Sequence, residues 1–197
     1  MTAAAAATAV YAAILADTHS DIDRSSSYSG RCLWGYNIDG VCQHNLDTIQ
    51  LSGDTRAPAY SSRSSLILVG NKEPNEMEEK LKGISSTMYV AGAGYKILCV
   101  ISGEADLLVT SSKTIFFWDS CAGHAILRSL GGGIIALEDI LQVKQDSETI
   151  DLERLQLRYR PKVDDQTYSC ASYNHSKGLV AYRSAEAITG AIKVLQS

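Results

Sequence analysis

The sequence predicts an α/β protein built in layers. Short apolar runs at Leu66–Val69, 87–90, 106–110, 134–137 and Leu179–Tyr182 alternate with longer segments whose apolar residues recur at helical spacing. That is the pattern of strands connected through helices. Glycine or proline stands at most of the junctions, where chains change from one element to the next. The composition agrees: 197 residues, 45% hydrophobic and 20% charged, is ordinary globular usage, and a chain of this length buries a core without staples.

Taken in order, residues 12–16 read as a strand. Residues 17–65 are rich in Ser, Asp, Asn and Gly around one apolar island, Cys32-Leu33-Trp34-Gly35-Tyr36, and predict short strands and turns. Leu66–Val69, closed by Gly70, predicts a buried strand. Pro74 opens a charged segment that ends at Gly83, a helix with proline just inside its start and glycine just past its end. Residues 87–90 form the next strand. Ala91-Gly92-Ala93-Gly94 then leads into a helix with Ile97, Leu98 and Ile101 on one face, stopped at Gly103. After a strand at 106–110, Asp119 begins a helix carrying Ala122, Ile126, Ser129 and Leu130 at helical spacing and ending at Gly131-Gly132-Gly133. A strand at 134–137 follows, then a polar stretch, 138–175, with a short helix near 139–143. Leu179–Tyr182 is the last strand, and Ala185, Ile188, Ile192 and Leu195 line the apolar face of a closing helix. The change of texture divides the chain into a sheet region with loops, 1–65, and an α/β domain, 66–197.

Charge and cysteine usage narrow the function classes. The net charge of −4 argues against a protein that grips nucleic acid by neutralising phosphates. The longest nearly unbroken apolar run, residues 3–16, is 14 residues and alanine-rich, too short to span a bilayer. No Lys or Arg precedes Arg24, so the positive start of a secretory signal is missing. The five cysteines, Cys32, Cys42, Cys99, Cys121 and Cys170, never stand two residues apart, which writes neither a zinc knuckle nor a redox pair. An odd, irregular set predicts reduced thiols and a cytoplasmic protein.

Three features could carry chemistry. In Ala91-Gly92-Ala93-Gly94-Tyr95-Lys96, glycines at a strand-to-helix joint let backbone N–H groups approach an anion, the helix start adds partial positive charge, and Lys96 adds a full one; the same joint also serves as a plain packing turn. Asp119, after Trp118, is an N-cap in its simplest sense, or a hard-cation ligand such as Mg²⁺ requires. Lys72, in Gly70-Asn71-Lys72, lies at the end of a strand, where α/β sheets bind ligands, and is otherwise a solvated lysine. No P-loop and no Gly-x-Ser-x-Gly elbow occurs. His124 lies off the helix face of Asp119 and takes no ligand role, and Tyr173-Asn174-His175-Ser176 reads as a surface turn.

The residue strings say more than the spacing. Trp118-Asp119-Ser120-Cys121-Ala122-Gly123-His124-Ala125-Ile126-Leu127-Arg128, running into Leu130-Gly131-Gly132-Gly133-Ile134, resembles the second signature of the inositol monophosphatase superfamily. The resemblance extends to Ala91-Gly92-Ala93-Gly94-Tyr95-Lys96, to Lys177-Gly178-Leu179-Val180-Ala181-Tyr182-Arg183-Ser184 and to Gly30-Arg31-Cys32-Leu33-Trp34-Gly35, in the family's order. It implies a Mg²⁺-dependent, lithium-sensitive phosphomonoesterase. The branch it resembles most removes the 1-phosphate of inositol polyphosphates such as inositol 1,4-bisphosphate; the sibling branch acts on 3′(2′),5′-bisphosphate nucleotides. By the same resemblance Asp119 is a Mg²⁺ ligand, and Gly92, Ala93, Lys96 and Lys72 contact the inositol phosphate substrate.

Departures from the family pattern shape the expectation. Gly70 stands where the family has a substrate-contacting serine, and Ser112 replaces an acidic residue seven positions before Asp119. The first signature, Asp-Pro-Ile-Asp-Ser-Thr, and an upstream Gly-Glu-Glu segment are absent; Asp21-Ile22-Asp23-Arg24-Ser25 imitates the former only loosely. The expected fold is therefore the C-terminal α/β portion of a layered α/β/α/β/α sandwich with a remnant of its larger sheet, the N-terminal half being absent. One surviving carboxylate binds Mg²⁺ weakly, so the expected chain is truncated, and weakly active or inactive. It would serve as an enzyme fragment or as a phosphate-binding or interaction module. Uncovered sheet would favour self-association.

Overall fold

The structure, a computed structural model, describes residues 11–16, 30–46, 65–71, 73–143, 150–159 and 170–197, with backbone alone for 11–16, 30, 31 and 171. Asp21–Ser25 and Lys72 lie outside the described residues. Among the described residues no helix is long and apolar enough to cross a membrane, and the five cysteines are free thiols.

Three strands, β1 (Tyr11–Ala16), β2 (Gly30–Ile38) and β3 (Val41–His44), form an antiparallel sheet in that order. The link between β2 and β3 is Asp39-Gly40, both at positive φ, 51° and 82°, the conformation a two-residue hairpin with the natural strand twist requires.

The second sheet contains β4 (Leu66–Val69), β5 (Ser86–Tyr89), β6 (Leu107–Thr110), β7 (Gly133–Ala136) and β8 (Leu179–Tyr182), in the order β5-β4-β6-β8-β7. β4 runs parallel to β5 and β6, while β8 is antiparallel to β6 and β7. The connecting helices are α1 (Asn75–Lys82), α2 (Ala93–Ser102), α3 (Phe117–Ser129), α4 (Leu137–Leu141), α5 (Leu152–Leu155) and α6 (Ala185–Gln196). β6, β7 and β8 are buried at every position, which is why these strands read as continuous apolar runs and not as alternating ones.

Alternate residues of this sheet build two cores. Leu68, Leu108, Ile134 and Ala181 face Ile97, Val100 and Ile101 of α2, Ile126 and Leu127 of α3, and Leu33 of β2. Ile67, Val69, Leu107, Val109, Ile135 and Val180 face Leu81 of α1, Ile140 of α4, and Ile188, Ile192 and Leu195 of α6. The layer of α2 and α3 touches both sheets, so the order is β/α/β/α: four consecutive layers of the expected sandwich.

Four local expectations need correction. α3 begins at Phe117, not Asp119, because the carboxylate of Asp119 reaches back from the first turn and does not precede it. The edge strand and the β7 strand each start one residue early, and Leu137 opens α4. Pro74 sits at the N-cap of α1 and not inside it. The predicted surface turn around His175 is buried: the imidazole is 6% exposed.

Candidate active site at the carboxyl ends of the parallel strands

β4, β5 and β6 point their carboxyl ends in one direction, the side of a parallel sheet where ligands bind. After β5 the chain turns at Gly92, whose φ of +83° suits glycine and strains any other residue. Gly92 is the N-cap of α2 and offers no side-chain acceptor, and the first turn carries no acidic residue. The N–H of Lys96 closes onto the carbonyl of Gly92 at 3.1 Å. Among the described residues no side chain caps the amides that follow Gly92, beginning with Ala93, and the helix start favours an anion there.

Lys96 stands in the same turn and is 7% exposed. Its Nζ lies 5.0 Å from the centroid of the Tyr89 ring, a favourable place for a cation. Burial lowers its pKa from the ordinary lysine value, and the negative charge of Glu73 offsets part of that.

The first turn of α3 comes alongside: a Cβ on Gly94 would lie 4.0 Å from the carbonyl oxygen of Asp119. The Asp119 carboxylate accepts from the Phe116 N–H at 2.8 Å, and the Asp119 N–H donates to the Phe116 carbonyl at 3.0 Å. Asp119 thus caps the helix from its third position, with Oδ2 engaged. Next to it, Ser120 is fully buried and its Oγ bonds Nε2 of His175 at 2.6 Å; the His175 N–H donates to the Ile115 carbonyl at 2.8 Å. Burial drives the His175 pKa down to about 4, against the pull of Asp119.

Asp119, Gly92, Ala93 and Lys96 therefore meet at two adjoining helix starts. Lys72 lies outside the described residues. Sequence reasoning missed Glu73, Tyr89, Ser120 and His175. Glu73 reads as helix-flanking charge beside Pro74, and 55 residues separate Ser120 from His175, so no local signal pairs them.

The site fits Mg²⁺ only in part. Asp119 offers one carboxylate, but among the described residues no group of three His, Cys, Asp or Glu side chains could hold a metal ion. Mg²⁺ demands near-octahedral oxygen coordination, so no hydrolytic step is assigned to these residues through a metal.

Comparison with known proteins gives this geometry its context. The human inositol polyphosphate 1-phosphatase is 33% identical over 178 residues, covering 85% of this chain and 44% of that protein; the mouse protein is 35% identical, covering 80% and 40%. The chain thus spans less than half the length of these curated relatives. A solved IMPase/NADP phosphatase complexed with Mg²⁺ and phosphate aligns at 14% identity and a TM-score of 0.48, over 84% of this chain and 50% of that one. The model of the inositol monophosphatase family matches residues 7–179, a stretch that contains both helix starts and stops at the first residue of the last strand, and the chain belongs to that family of metal-dependent phosphomonoesterases.

Proposed function

We propose that this chain carries the phosphate-gripping part of an inositol polyphosphate 1-phosphatase site, for substrates such as inositol 1,4-bisphosphate. The observation that supports this most is the α2 start: Gly92 and the amides from Ala93 onward, which no side chain among the described residues caps, with Lys96 in the same turn and Asp119 beside it. In this proposal Gly92, Ala93 and Lys96 hold the phosphate, Lys72 adds a second cation, and Asp119 contributes one oxygen to Mg²⁺. Mg²⁺, when bound, supplies charge neutralisation and an activated water, which need carboxylates beyond Asp119. The 197-residue chain is therefore expected to bind the substrate but to hydrolyse it slowly or not at all.

Two measurements test this. Titration calorimetry with inositol 1,4-bisphosphate is expected to show binding that weakens about tenfold or more in Lys96→Ala, the usual loss for a hydrogen bond to a charged group. Phosphate release in the presence of Mg²⁺ is expected to stay far below an ordinary enzymatic rate, and lithium-inhibited turnover at such a rate would overturn the binding-only reading. Preference for a 3′(2′),5′-bisphosphate nucleotide over the inositol ligand would transfer the site to the sibling activity.

A further inference from the structure

Glu73 is a buried charge that the site as described leaves unused. It follows β4 by four residues and, like Lys96, is 7% exposed. Its Oε2 accepts from the backbone N–H of Ser111 at 2.8 Å, which ties the turn after β4 to the end of β6. Its Oε1 is buried and has no hydrogen-bond partner among the described residues. That oxygen occupies the notch left by Gly70: a Cβ there would collide with it and with Oγ1 of Thr110. A buried carboxylate with an unpaired oxygen is costly unless another charge compensates it; the cation at the adjoining strand end is Lys96, whose ammonium stands over Tyr89, the register partner of Val69, and it feels the charge of Glu73. The two do not close into a direct ion pair; the ammonium instead stands over the Tyr89 ring. The titratable groups around Lys96 are Glu73 from the turn after β4, Tyr89 from β5 and, from the adjoining start of α3, Asp119, whose Oδ2 accepts from the Phe116 N–H, while Tyr95 on α2 is engaged with Cys99 and Glu104.

We propose that Glu73 is a positioning residue for the phosphate cradle: its carboxylate joins the ends of β4 and β6 and sets a fixed counter-charge on the strand end next to the one over which Lys96 stands. A carboxylate near the lysine, but not bonded to it, leaves the ammonium free to turn to a dianionic phosphate. Gly70 is part of the device, because only the missing Cβ makes room for the Glu73 carboxylate. The assignment rests on the phosphate-binding role proposed above for Lys96.

The test is the pH profile of inositol 1,4-bisphosphate binding, from about pH 7 to about pH 9.5, for the parent chain, Glu73→Gln, Glu73→Asp, Gly70→Ala and Lys96→Ala. Glutamine keeps an acceptor for the Ser111 N–H and removes the charge. Relative to the parent, Glu73→Gln is expected to bind equally or more tightly near neutrality, where one repulsive charge is gone. At the alkaline end it is expected to bind about tenfold more weakly, because Lys96 loses its proton sooner without a nearby anion. Glu73→Asp is expected to restore part of the alkaline affinity. Gly70→Ala, which fills the notch and displaces the carboxylate, is expected to shift the profile as Glu73→Gln does, and it carries the comparison if Glu73→Gln loses its far-ultraviolet dichroism. Parallel profiles for parent and Glu73→Gln, with Lys96→Ala still impaired, would overturn the role of Glu73 alone. Absence of binding by the parent, or full binding by Lys96→Ala, would overturn the phosphate reading beneath it.

Discussion

At His124 and His175 the chain buries imidazoles that stay neutral. His124 donates from Nε2 to Oε1 of Gln156 at 2.9 Å and accepts at Nδ1 from the Tyr159 hydroxyl at 3.1 Å. Burial is the main cause that takes both histidines down to about 4. The unfolded chain protonates its histidines in the ordinary range near 6.5. As the pH falls from about 6.5 towards 4, the unfolded state gains protons that the fold refuses, so stability falls with pH. Each imidazole is expected to remove on the order of 1.4 kcal/mol per pH unit across that window. Urea melts at descending pH check this, and a midpoint that stays flat between neutrality and pH 5 would contradict it. Asp119 allows a second residue-scale test. Asp119→Ala is expected to cost about 1 kcal/mol through loss of the cap, whereas Asp119→Asn keeps an acceptor for the Phe116 N–H and costs much less. A loss equal in both would show that the charge, and not the hydrogen bond, stabilises the turn.

At the scale of elements, α2 and α3 set the site because they approach closely. Gly123 of α3 lies against Ile97 of α2, and a Cβ on it would overlap the Cγ2 of that β-branched side chain. Gly123→Ala is expected to destabilise the fold by about 1–2 kcal/mol in spite of the better helix propensity of alanine. It is also expected to weaken phosphate binding, since it pushes the two helix starts apart; calorimetry beside a denaturant melt separates the two effects. Helices and central strands were legible from the residues themselves: Leu66–Val69 and Leu179–Tyr182 fall where their apolar runs lie, and α2 stops at Gly103, whose φ is +77°. The start of α3 was misplaced because an aspartate three residues inside a helix and one at its cap look alike in sequence, and only the direction of the carboxylate distinguishes them.

At the scale of the whole molecule, the two sheets share one helical layer. Val41, at 58% exposure, and Ile38, at 40%, lie uncovered at the β2–β3 hairpin, and Met88 and Tyr89 stand on the edge strand β5. Exposed apolar groups beside unpaired strand edges favour association, so sedimentation at rising concentration is expected to show self-association that Val41→Lys reduces; a strictly monomeric profile would contradict it. The sequence by itself determined the fold class, the glycine turn that opens α2 and the family, because apolar period, glycine placement and the Trp118-Asp119 string are local properties of a chain. Only the tertiary structure decided which charges share a site. The mixed sheet, by pairing β4 with β6 on one side and β5 on the other, brings Gly70, Glu73 and Ser111 together beside the strand end over which Lys96 stands. It also decided that His175 is buried against Ser120. Such pairings depend on which strand ends become neighbours, and the crossing of strands through space leaves no periodic mark along the sequence.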